Sequence, residues 1–89
     1  MALDAPKLDV ERIRAETPGC AHVLHLNAAG SSLPSRRTLD ATLDHLRLEA
    51  EIGGYEAADR ARPVLDRFYP SIATLIGAEP GEIAYVENA

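Results

Sequence analysis

A single cysteine, Cys20, rules out a disulfide within the chain and fits a reducing compartment. Aromatic residues make up only 4%, and the nine basic residues are scattered among fourteen acids. No basic stripe or aromatic platform for nucleic acid is therefore visible. No apolar run approaches the ~20 residues of a membrane span, and the first seven residues lack the apolar core of a signal peptide. The expectation is a soluble, cytoplasmic chain. Internal repeats and low-complexity tracts are also missing. What is present is an ordinary globular composition, 46% hydrophobic with a net charge of −5, which argues against disorder. Its 89 residues could make one small domain.

The first seven residues read as a loose leader. Asp9 can cap a short helix from Val10 to about Glu16, with Val10 and Ile13 as its apolar contact. Thr17-Pro18-Gly19 breaks it, because the ring of Pro18 disfavours helical geometry at the preceding residue. His22 to Leu26 reads as a short strand covered on both faces. Asn27 to Pro34 is small, polar and glycine-containing, hence a loop. Ser35 can cap a helix from Arg36 to about Ile52, stopped by Gly53-Gly54. In that helix Leu39, Leu43, Leu46 and Ala50 form one apolar stripe, with Asp40, Asp44, Arg47 and Glu51 on a polar one. Ala41, Leu48 and Ile52 fall nearly opposite the first stripe. A helix with two apolar strips is expected between two bodies, one of them outside this sequence.

A second long helical pattern runs from Tyr55 to Ile76, with Ala58, Ala61, Leu65, Phe68, Tyr69, Ile72 and Ile76 on one broad face. Pro63 and Pro70 project onto its polar side, which predicts a bent or broken helix. Gly77 ends it. Ile83 to Val86 then reads as a buried strand of a parallel sheet. The last residues read as a strand-to-loop corner that leads nowhere, as in one piece of a larger α/β enzyme.

Few constellations carry chemistry by themselves. His22 and His25 are three apart on the expected strand, so their side chains leave opposite faces, and His45 is distant. A structural role is expected for all three, with no metal site. Cys20 has no local motif to hold a thiolate and reads as inert. Ser31 and Ser32 lack a Gly-x-Ser-x-Gly elbow, so ligand binding or strand termination suits them better than nucleophilic attack. Arg36 and Arg37 open a helix at the end where its dipole disfavours cations, and either meet a carboxylate or stand in solvent. Glu49, Glu51, Glu56, Glu79 and Glu82 read as solvated surface. Tyr55, after the glycine pair, either reaches into a site or packs. No catalytic residue is assigned.

Three stretches together resemble a family. The order is Leu26-Asn27-Ala28-Ala29-Gly30-Ser31-Ser32-Leu33-Pro34, then the helix ending Glu49 to Ala57, then Ile72 to Ala89. This looks like the N-terminal part of class V aminotransferase-type enzymes, which are fold-type-I proteins dependent on pyridoxal 5'-phosphate. Cysteine desulfurases, isopenicillin-epimerase-like enzymes and the C–S lyase of ergothioneine synthesis are among them. The corner from Glu51 to Ala57 most resembles the lyase branch. The resemblance covers 22–89, so 1–21 is set apart as leader and short helix, and 22–89 as the start of an aminotransferase-like domain that continues elsewhere.

The resemblance implies an α/β fold of short helix, strand, two long helices and buried strand, incomplete on its own. It implies pyridoxal phosphate, an amino-acid substrate, the remaining C-terminal polypeptide of the same enzyme as partner, and a homodimer of the whole. Asn27, Ala28, Ala29, Gly30 and Ser31 would line the substrate side. Asn88 and Ala89 would open the turn that cradles the cofactor phosphate, where helix N-terminal N–H groups favour an anion. The family's Schiff-base lysine lies well downstream, and Lys7 matches no family lysine motif. Two functions are thus in view. One is a segment of a lyase, desulfurase or transaminase that shapes its pocket loop and dimer interface. The other is an acidic helical interaction module without catalysis.

Overall fold

The computed structural model describes residues 7–87. The chain divides into two units, Met1–Leu46 and Arg47–Ala89.

In the first unit α1 spans Val10–Ala15, and Asp9 caps it by accepting a 3.1 Å hydrogen bond from the Arg12 amide. Pro18–Ala21 forms a 3₁₀ turn after Thr17. The α1 exit and the entry to α3 are tied together, because the Arg36 amide donates to the Glu16 carbonyl at 2.7 Å. Between them lies α2, a single helical turn over Ala28–Ser31. Helix α3 runs over Arg36–Ile52 and crosses into the second unit. Ser35 caps it as its spacing predicts: the Thr38 amide donates to the Ser35 hydroxyl at 3.2 Å.

The second unit continues with α4 over Gly54–Asp66 and α5 over Phe68–Ile76. The long pattern is broken, as expected, at Arg67. The cause is local: Pro70 has no N–H for the Asp66 carbonyl four residues back, and its ring would collide with that oxygen. The Arg67 amide bonds Val64 at 3.2 Å, a tighter 3₁₀-type link, and the α pattern resumes with Ser71 onto Arg67 at 3.1 Å. Gly77 closes α5 in the left-handed region at φ 74°, and the Ala78 amide reaches back to Ala73 at 2.8 Å. A second 3₁₀ turn, Pro80–Glu82, has reciprocal side-chain caps at Glu79 and Glu82. Beyond it Tyr85 lies edge-on to Phe68, ring centroids 5.7 Å apart. Phe68 meets Tyr69 in the same way at 5.4 Å.

The expected fold class is corrected here. Among the described residues the chain is helical, and no strand or sheet is formed. Residues 22–26 and 83–86 carry β-type sequences, and Ile83 has extended dihedrals (φ −100°, ψ 129°), but neither stretch pairs with another extended segment among the described residues. A strand exists through pairing, since its backbone N–H and C=O groups have no partners along their own segment. Nor is the second stretch buried as expected, for Tyr85 and Val86 are exposed. One further expectation changes: the stretch from Asn27, read as a loop, holds a helical turn. Tyr55 sits in the first turn of α4, which starts at Gly54, one residue before the expected helical pattern.

Only Ala57 and Ala73 are buried hydrophobic residues among those described. The leucine stripe of α3, Leu39, Leu43 and Leu46, stays exposed, while Leu48 and Ile52 are half-buried. The chain exposes 8161 Å². Two separate compact units of half its mass would together expose about 6,100 Å² by the size scaling of folded monomers. No helix among the described residues is long and apolar enough to cross a membrane.

Candidate functional site

The residues proposed to meet a substrate form α2 and its cap. Asn27 begins the turn because its short carboxamide can bond the backbone three residues on. Its Oδ1 accepts the Gly30 amide at 3.2 Å, and its carbonyl accepts the Ser31 amide at 3.1 Å. A Cβ at Gly30 would stand 2.8 Å from the side-chain nitrogen of Asn27, so a larger residue there would displace the capping carboxamide. Ala28 and Ala29 fill the turn with the smallest side chains and leave its backbone open to an approaching molecule. All five residues from Asn27 to Ser31 are exposed. Ser32 leaves the turn extended (φ −72°, ψ 155°). A contact that sequence reading missed fastens the other end: His25 Nε2 lies 2.8 Å from the Ser31 carbonyl oxygen. Its only signal was a histidine two residues before the cap.

The structure brings these residues together and leaves the other candidates apart. Asn88 and Ala89, expected to begin the phosphate cradle, lie outside the described residues. No group of three His, Cys, Asp or Glu side chains able to hold a metal occurs among those described. Cys20 is half-buried, and Tyr55 stands out in solvent, 89% exposed. Arg36 and Arg37 occupy the first turn of α3 and are exposed.

No family model matches the chain, and no solved structure matches it. Over 79 residues it is 43% identical to a protein of Mycobacterium tuberculosis (strain CDC 1551 / Oshkosh) described as "Probable hercynylcysteine sulfoxide lyase". The aligned part takes in 89% of this chain, which spans about 20% of the length of the sulfoxide lyase. The relative is described as a sulfoxide lyase, the kind of enzyme that the corner from Glu51 to Ala57 resembles.

Pyridoxal phosphate, the cofactor that the resemblance implies, can be tested against the residues present. It needs a lysine amine within a sheltered pocket, with donors around its phosphate. The sequence holds one lysine, Lys7, exposed and outside any helix. No pocket is formed among the described residues. By themselves, these residues do not fit the cofactor.

Proposed function

We propose that this chain serves as part of a pyridoxal-phosphate-dependent C–S lyase acting on an S-substituted cysteine sulfoxide. Its role is to shape the substrate side of the pocket through Asn27 to Ser31, while further polypeptide of the same enzyme holds the cofactor. The observation that carries this reading is the 43% identity to the mycobacterial sulfoxide lyase. Two features of the chain support it. The turn at Asn27 offers small residues and an open backbone, as a site for an amino-acid substrate requires. Leu39, Leu43, Leu46, Leu65, Leu75 and Ile76 are apolar helix residues left open to solvent, surface that a further chain would cover. The cofactor, when bound by the whole enzyme, supplies the electron-withdrawing ring that stabilises charge at the substrate carbon.

The alternative, an acidic helical interaction module, draws on the helical character of the described residues. One experiment separates the two. The mycobacterial lyase is expressed without the fifth that matches this chain, and the 89-residue chain is supplied separately. The expected result is a yellow complex that cleaves hercynylcysteine sulfoxide. The reading falls if this chain gives neither colour nor cleavage while the matching mycobacterial fragment restores both.

A further inference from the structure

We propose that His25 is a positioning residue that sets the shape of the Asn27–Ser31 turn for its substrate, an inference resting on the function proposed for that turn. His25 Nε2 is 2.8 Å from the Ser31 carbonyl oxygen. A carbonyl has only lone pairs to offer, so the imidazole donates, and its proton sits on Nε2. Ser31 is the last residue of α2, and its carbonyl is among those a helix end leaves without an intrahelical partner. A histidine near a helix C-terminus is suited to such an oxygen.

The turn needs this help. A four-residue helix cannot persist on propensity alone, because its nucleation cost exceeds what so few bonds return. No residue of α2 is buried, so packing does not hold it either. It is held instead by four local links. Two are backbone bonds from Gly30 and Ser31 to the Asn27 carbonyl, at 3.2 and 3.1 Å. A third is the Asn27 side chain on the Gly30 amide, at the entry. The fourth is the His25 ring on Ser31, at the exit. Of the two side-chain links, only the histidine spans the whole turn, joining residues six apart. Removing it frees the Ser31 carbonyl and leaves the exit of the turn without a side-chain tie.

The test compares His25→Leu, which keeps bulk and removes the donor, with His25→Gln, whose amide nitrogen can take the place of Nε2. In the full 89-residue chain, amide exchange at Gly30 and Ser31 should quicken about three- to tenfold in His25→Leu, the worth of one net hydrogen bond, and return in His25→Gln. In the reconstituted lyase, KM for hercynylcysteine sulfoxide should rise by a similar factor of about three to ten in His25→Leu without a matching loss of kcat. His25→Gln should restore it. Unchanged exchange in His25→Leu overturns the latch. Faster exchange with unchanged KM overturns the role in positioning substrate. In that case Asn27→Ala decides what else falls: a raised KM keeps the substrate-binding turn and removes only His25, whereas an unchanged KM removes both.

Discussion

At the scale of single residues, the described structure depends on a few positions where one atom decides the outcome. Gly77 holds φ 74° at the end of α5, and a Cβ there would meet nothing within 4 Å. The cost of replacing it is therefore purely conformational, since an L side chain in the left-handed region crowds its own carbonyl. Gly77→Ala should destabilise the second unit by about 1 kcal/mol, measured by urea titration of the far-ultraviolet helical signal. Gly81→Ala is the control, because Gly81 has open space and no positive φ. Equal loss in both variants would show that the cap does not hold α5. Asn27, Ser35 and Asp9 belong to the same scale. Each is a short polar side chain bonding an amide three residues ahead; the caps at Asp9 and Ser35 were legible in sequence because they need only neighbours, whereas Asn27 read as the start of a loop. His25 was not legible in that way, for a ring reaching a carbonyl six residues on depends on how the intervening turn is folded.

At the scale of elements, the two prolines act differently although both are exposed. Pro63 is inside α4, which tolerates it at the expense of one hydrogen bond to Asp59. Pro70 is the third residue of α5, a first-turn position where the absent N–H costs little once the helix is broken. Pro63→Ala should therefore stabilise α4 by about 1–3 kcal/mol in a thermal melt. Pro70→Ala should instead join α4 and α5, giving helical Cα shifts through Arg67 and a protected amide at residue 70. A freely exchanging amide there, with the break intact, would assign the bend to packing. Helix positions were readable because each helical bond closes within four residues. The strands were not, since a short apolar run marks what a segment is able to pair with and not whether the pair exists.

At the scale of the whole chain, the governing fact is how little is covered. Large apolar side chains as exposed as Leu24 at 87% and Leu75 at 78% carry a hydrophobic cost of roughly 25 cal/mol for each Å² left in water. The isolated chain should bind an apolar dye strongly and show no cofactor band after incubation with pyridoxal phosphate. Adding the remaining lyase polypeptide should quench the dye signal. A dye signal that stays unchanged while the yellow complex forms would show that these faces are not what the partner covers. The sequence by itself determined helices α1 and α3 with their caps, a broken helical pattern between Tyr55 and Ile76, its end at Gly77 and a resemblance that a sulfoxide lyase shares, because each rests on residues near one another along the chain or on their order. Tertiary structure alone decided that Ala57 and Ala73 are the buried pair, that Phe68 gathers Tyr69 and Tyr85, that His25 closes the Asn27 turn, and that no sheet forms among the described residues. The physical reason is the same for all four: burial, edge-on ring contact, the reach of a ring to a carbonyl six residues on and strand pairing are relations between parts of the folded chain, and none has a partner until the chain has folded.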